Sequence, residues 1–129
     1  MKKKEADFAI IGGGIVGLSV AHGLLKQGCS VICIDGSDTD FRASRGNFGL
    51  VWVQGKGIRT PFYAAWTQNA ARIYPDFVSE LSQETGVQIN YNQAGGYEYF
   101  TDPHTLSQRM EEYKQLKKAL NGDYPYEFL

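Results

Sequence analysis

"DFAIIGGGIVGLSVAHGLLKQGCSVICID", residues 7–35, is the stretch from which the fold is read. Phe8 to Ile11 is a compact apolar run without helical period, which predicts a short buried strand. Gly12 to Gly14 form the turn. From Ile15 to Gln27 the spacing of Ile15, Leu18, Val20, Ala21, Leu24 and Leu25 becomes helical, and Gly28 stands where a C-terminal cap belongs. Ser30 to Asp35 is a second strand, and its near-continuous apolar run fits a parallel sheet covered on both faces. Strand, helix and strand in about thirty residues make a βαβ unit with a right-handed crossover.

Gly12, Gly14 and Gly17 fit the pattern G-x-G-x-x-G. The first glycine permits a tight turn out of the strand. The second lets a pyrophosphate approach the backbone, and the third lets the helix pack close to the strand. The free N–H groups of the helix start, with the positive end of its dipole, suit phosphates. Asp35 follows at the end of the second strand, where a carboxylate can accept hydrogen bonds from a ribose 2′-OH and would repel a 2′-phosphate. A glycine-rich turn in another kind of α/β protein is the plainer reading of the glycines. The strand before them, the helix after them and the spaced acid favour an adenine dinucleotide, without saying which one.

Working outward, the 129 residues suit one ordinary domain, and 43% hydrophobic with 21% charged residues is the composition of a soluble globular protein. Thirteen basic against 14 acidic residues leave no basic face for nucleic acid or an anionic membrane. Lys2 to Lys4 before an apolar stretch imitate a signal peptide, but Glu5, Asp7 and the glycines argue against one, and no stretch is apolar enough to span a bilayer. Cys29 and Cys33, on one strand, would lie about 13 Å apart and cannot pair with each other. They read as small buried residues of a reducing cytoplasm.

Residues 36–56 are rich in Gly, Ser, Asn and Arg, a long connection of the functional kind, and Phe48, Leu50, Val51, Trp52 and Val53 argue for order. Thr60-Pro61 starts a helix as N-cap and N1, expected to kink or break at Pro75 and resume to Thr85. Ile89 to Tyr91 and Tyr97 to Thr101 read as a hairpin around Gly95-Gly96. Asp102-Pro103 opens a last helix, marked by Leu106, Met110, Tyr113, Leu116 and Leu120 and stopped at Asn121-Gly122.

In an NAD domain a further helix and parallel strand would follow Asp35; here a polar glycine loop follows instead. "GGGIVGLSVAHGLLKQGCSVICID" (12–35), "RASRGNFGLV" (42–51), "WTQNAARIYPDFVSELSQETG" (66–86) and "INYNQAGGYEYF" (89–100) resemble the FAD-dependent glycine/D-amino-acid oxidase (DAO) family, particularly its amine-, opine- and D-hydroxyproline-type dehydrogenase subunits. The resemblance implies an α/β fold: a Rossmann-like FAD-binding βαβ unit in residues 1–60, then helices and a hairpin in 61–129 that begin an α+β substrate domain. It implies that Gly12, Gly14, Ile15, Val16 and Gly17 hold the FAD pyrophosphate, and that Asp35 with Gly36 holds the adenosine ribose. Arg42, Ala43, Ser44, Asn47, Gly49 and Leu50 would line the rest of the cofactor. Asp35 stands where the family often has Glu, with the same carboxylate one methylene shorter. The 42–50 loop has no histidine or cysteine for covalent flavin attachment.

The implied activity is oxidation of a C–N bond in a small amine or D-amino acid by a cytoplasmic flavoprotein, either a homo- or a hetero-oligomer. Family members are considerably longer, so the chain reads as an N-terminal fragment that is inactive alone. Such a fragment should expose sheet edges and apolar surface, and associate or order only in part. The other class of function is a dinucleotide-binding module, for NAD or FAD, without catalysis. No catalytic base can be named among these residues. His22 and His104 have no metal-ligand company. Ser44 lacks a nucleophile elbow, which leaves a phosphate hydrogen bond as its role. Glu111-Glu112 and Lys117-Lys118 are the wet face of the last helix. Tyr91, Tyr97 and Tyr99 suggest an aromatic platform, but strand packing explains them as well, and Trp52 either lies near a flavin or, the reading favoured, fills the core beneath it.

Overall fold

The computed structural model describes residues 5–37, 39–47 and 49–129; Lys2 to Lys4 and Phe48, which entered the sequence reading, lie outside the described residues. The elements run β1 (Phe8–Ile11), α1 (Ile15–Lys26), β2 (Val31–Ile34), α2 (Pro61–Thr85) and α3 (Pro103–Ala119). They fall into two compact units, Met1–Leu50 and Val51–Leu129.

The first unit is the expected βαβ. β1 and β2 pair in parallel, with Phe8 opposite Val31 and Ile11 opposite Ile34. The two strands are tied at their starts. The Asp7 carboxylate accepts from the Ser30 amide (2.8 Å) and hydroxyl (2.6 Å), and the Asp7 amide donates back to the Ser30 hydroxyl (3.0 Å). These bonds hold the Asp7 carboxyl below its ordinary range. At the other end, the Gly12 amide extends the ladder to the Ile34 carbonyl at 2.8 Å. Helix α1 ends as the sequence indicated: Gly28, at φ +81°, donates to the Leu25 carbonyl and Cys29 to that of Leu24, the paired bonds of a Schellman cap.

The strands were expected to be buried on both faces, and here they are not. Phe8, Ile11 and Ile34 are exposed, as is Cys33. A two-stranded sheet with one helix can cover only one face, so the apolar runs that would fill a larger parallel sheet stay on the surface. Both cysteines are free thiols.

The second unit has a core of Ala64 from α2, Tyr113 and Leu116 from α3, and Tyr124, with Ile58, Leu120 and Tyr126 packed against it. The Tyr113 and Tyr124 rings meet edge to face at 5.4 Å, and the Tyr124 hydroxyl accepts from the Gly55 amide at 2.7 Å. Asp102 caps α3 by accepting from the Thr105 amide (2.7 Å) and hydroxyl (2.6 Å). The helix stops where Asn121, at φ +54°, donates to the Lys118 carbonyl and Gly122 to that of Lys117.

Two expectations are corrected. Of the kink or break expected at Pro75, the break does not occur, since helix α2 continues through it to Thr85. Proline costs it the N–H bond to residue 71, but the buried stripe of Ala64, Gln68, Ala71 and Val78 continues past that point and keeps the helix in place. Thr60 occupies the N-cap without a side-chain hydrogen bond; its carbonyl starts the helix instead, accepting from Tyr63 and Ala64. The hairpin is absent: residues 89–101 form no strand ladder. Tyr97 and Tyr99 stack on each other at 6.1 Å, and the rest of the segment anchors to other parts of the unit. Tyr91 packs on Tyr74 (5.2 Å between rings), Glu98 accepts from the Tyr113 hydroxyl (3.0 Å), and the Trp52 ring lies so close to Gly96 that a Cβ there would collide with it.

Candidate functional site

The candidate site lies in the first unit, where the Gly12–Gly14 turn, the end of β2 and the loop at 42–44 converge. Gly12 has φ +102°, a backbone region that side chains rarely adopt, so the chain can leave β1 sharply. Gly17 is required for a different reason. A Cβ on it would overlap the Gly12 carbonyl oxygen and lie 3.3 Å from Ile10, so only glycine lets α1 approach the strand end this closely. Both glycines thus have the roles that the spacing assigned them.

Helix α1 begins at Ile15 with Gly14 as its N-cap and no side-chain cap from that position. Ser44 supplies the cap from a distance, its hydroxyl accepting from the Ile15 amide at 2.9 Å. Helix geometry leaves the amides of Val16 and Gly17 without an intrahelical acceptor, a positive pair of donors beside Gly14. A Cβ on Gly14 would press on the Ser44 hydroxyl at 3.1 Å, so the glycine makes room for the residue that caps α1. The arrangement can bind a phosphate.

Asp35 directly follows β2. Its carboxylate accepts from the Gly13 amide and from the Gly36 amide (2.9 Å), and it pairs with the Arg42 guanidinium. Those bonds, the Gly13 amide foremost, hold the Asp35 carboxyl below the usual carboxylate range. A carboxylate has about four lone-pair sites, so three donors leave it one more hydrogen bond to accept. Arg42 is also held by the carbonyls of Gly36 (3.0 Å) and Ser37 (2.8 Å).

The structure therefore brings Gly12, Gly14, Ile15, Val16, Gly17, Asp35, Gly36, Arg42 and Ser44 together. Asn47 instead closes a local turn on the Gly49 amide (2.5 Å), and Ala43, Gly49 and Leu50 are exposed. Among the described residues no hydrogen bond ties 47–50 to the glycine turn. Sequence reasoning missed Gly13. Its amide binds Asp35, and a Cβ on it would run into that carboxylate. The middle glycine of the three in a row was the visible signal, since G-x-G-x-x-G leaves that position open. Among the described residues no helix is long and apolar enough to cross a membrane, and no group of His, Cys, Asp and Glu is arranged to hold a metal.

A glycine cradle at a helix start, with an acid at the end of the next strand, is the layout of the dinucleotide-binding class of βαβ units. The sequence comparisons give that unit its family. The model of the FAD-dependent oxidoreductases known as DAO matches residues 7–129, and the chain belongs to this family. It is 41% identical over 122 residues to an opine oxidase subunit of Rhizobium meliloti, covering 95% of this chain and 33% of that protein. The corresponding opine oxidase subunit of Agrobacterium tumefaciens (strain Ach5) is 39% identical over 121 residues, covering 94% and 33%. The mitochondrial dimethylglycine dehydrogenase of Rattus norvegicus is 30% identical over 116 residues, covering 87% and 12%. The chain thus spans about a third of the length of the opine oxidase subunits it matches. No solved structure matches it.

Proposed function

We propose that this chain supplies the adenosine- and pyrophosphate-holding part of an FAD-dependent oxidoreductase that oxidises a C–N bond of an amine or D-amino acid. The observation that carries the reading is the convergence of the bare glycine turn, the open α1 amides and the Asp35 carboxylate in a member of an FAD-dependent family. The Val16 and Gly17 amides would face the pyrophosphate, and Asp35 would accept from the adenosine ribose. FAD held there would supply the acceptor for a hydride from the carbon next to nitrogen, leaving an imine that water would hydrolyse to carbonyl and amine. The chain's own part is to bind and orient. The names of the opine oxidase and dimethylglycine dehydrogenase relatives support an opine or an N-substituted glycine as substrate class. Turnover is expected to need more than this part, because the chain spans only about a third of the opine oxidase subunits it matches.

The test is the visible absorbance spectrum of the purified protein before and after heat release of ligand. A flavin spectrum in the released fraction supports the reading. A colourless protein that also takes up no added FAD overturns it. A protein that binds flavin without oxidising any amine in a dye-coupled assay is instead a binding module.

A further inference from the structure

The three residues Arg42-Ala43-Ser44 connect the two ends of the candidate site. Ser44 caps α1 at the phosphate end, through the Ile15 amide at 2.9 Å. Arg42 reaches the ribose end, where one guanidinium nitrogen pairs with Asp35 Oδ2 and another donates to the carbonyls of Gly36 (3.0 Å) and Ser37 (2.8 Å). The Arg42 side chain is only 14% exposed, against 34% for Asp35. Its Nε is buried with no hydrogen-bond partner. A residue that lined the cofactor would turn its donors outward. Arg42 turns them inward, onto the carboxylate and the two peptide groups just beyond the strand.

Asp35 without this partner would keep only the Gly13 and Gly36 amides, which fix one side of the carboxylate. Exposed carboxylates rotate readily about their terminal bond. A planar guanidinium held at three acceptors removes that freedom and offers the open lone pair in one direction.

Building on the dinucleotide reading, we propose that Arg42 is a positioning residue that does not touch the nucleotide: it orients the Asp35 carboxylate to receive the 2′-hydroxyl of the adenosine ribose. Arg42 thereby sets how strongly the site discriminates a ribose from a 2′-deoxyribose.

The experiment compares ADP with 2′-deoxy-ADP by calorimetric titration of the full chain, in the wild type and in Arg42→Gln and Arg42→Lys. The wild type should prefer ADP by about ten-fold, as for loss of one hydrogen bond to a charged group. In Arg42→Gln the preference should fall toward unity, while 2′-deoxy-ADP binding changes by less than about two-fold. Arg42→Lys, which keeps the charge and loses the fork, should lie between. Amide spectra of each variant establish that it is folded, and Arg42→Lys carries the comparison if the glutamine variant is not. If Arg42→Gln weakens both nucleotides equally and keeps the preference, Arg42 contacts the nucleotide or merely supports the loop, and the inference is overturned. A wild type that binds ADP without preferring it to 2′-deoxy-ADP overturns the inference alone. A wild type that binds neither ADP nor FAD overturns the dinucleotide reading, and the inference with it.

Discussion

The two units are stabilised by different means. In the first, Ala21 is the one buried residue among those described, while Ile11 (87%), Val16 (75%) and Ile34 (54%) face solvent. What fixes this unit is polar and directional: the Asp7–Ser30 bonds, the Gly12–Ile34 bond, the remote Ser44 cap and the Asp35–Arg42 pair. The second unit buries Ala64, Gln68, Ala71, Val78, Tyr113, Leu116 and Tyr124. Its position is set by side-chain volume. A nucleotide cradle is made of backbone, and backbone is aimed by hydrogen bonds and close approach. A helical core is filled by side chains, and its stability follows how well they fill it. The two units should therefore fail for different reasons.

The largest separation is expected from Leu116→Ala, at a residue 1% exposed. It should cost the second unit about 3 kcal/mol. Hydrogen exchange would report it, with the amides of α3 losing protection while those of Ile10 and Ile32 keep theirs. Joint loss would show that the units unfold together and break the comparison.

Gly17→Ala probes the first unit. Helix propensity alone favours alanine by about 1 kcal/mol. The overlap of a Cβ with the Gly12 carbonyl should reverse that sign, giving a net loss of about 2 kcal/mol together with lost ADP binding. Denaturant titration followed at first-unit amides measures it, and a stabilised variant would remove the argument for close approach.

The units should also differ in their response to alkali. Asp35 and Asp7 titrate below their ordinary value in the folded chain. Their stabilisation is complete above about pH 4, the unfolded aspartate value, and is lost as pH falls through the folded one. Tyr113 and Tyr124 are shifted the other way, by burial first and, for Tyr113, then by Glu98. Their stabilisation is complete below about pH 10 and is lost as pH rises through the folded values. Amide exchange across pH should show both units loosening in acid, the first through Asp35 and Asp7 and the second through the Asp102 cap, whose carboxyl the Thr105 bonds also hold low, and only the second loosening in alkali. Asp35→Asn should flatten only the acid limb, and Tyr113→Phe should reduce only the alkaline one.

The smallest effect is that of Asp102→Ala, which removes the α3 cap. The Thr105 amide should exchange faster and the second unit melt slightly earlier, with the first unit unchanged. Equal protection at Thr105 in the variant would show that the cap contributes nothing there.

Much of this was legible in the residues. Strand, turn, helix and strand from Phe8 to Asp35 follow from period and punctuation, because each depends on neighbours a few positions away. The caps at Gly28, Asp102 and Asn121-Gly122 are local in the same sense. Pro75 and residues 89–101 defeat a local reading because their outcome depends on distant packing. A helix survives a proline when its buried stripe continues past it, and a strand-like segment forms no ladder when Tyr91 packs on Tyr74, Glu98 accepts from Tyr113 and the Gly96 backbone lies against Trp52.

The site divides along the same line. The glycine spacing and Asp35 are matters of sequence, since the order of turn, helix and strand end is carried by chain distance alone. The direction in which Arg42 points, the remote Ser44 cap and the hold of Gly13 on Asp35 were decided by tertiary structure. Each joins residues that chain distance does not pair, and only the folded backbone brings donor and acceptor within hydrogen-bonding range.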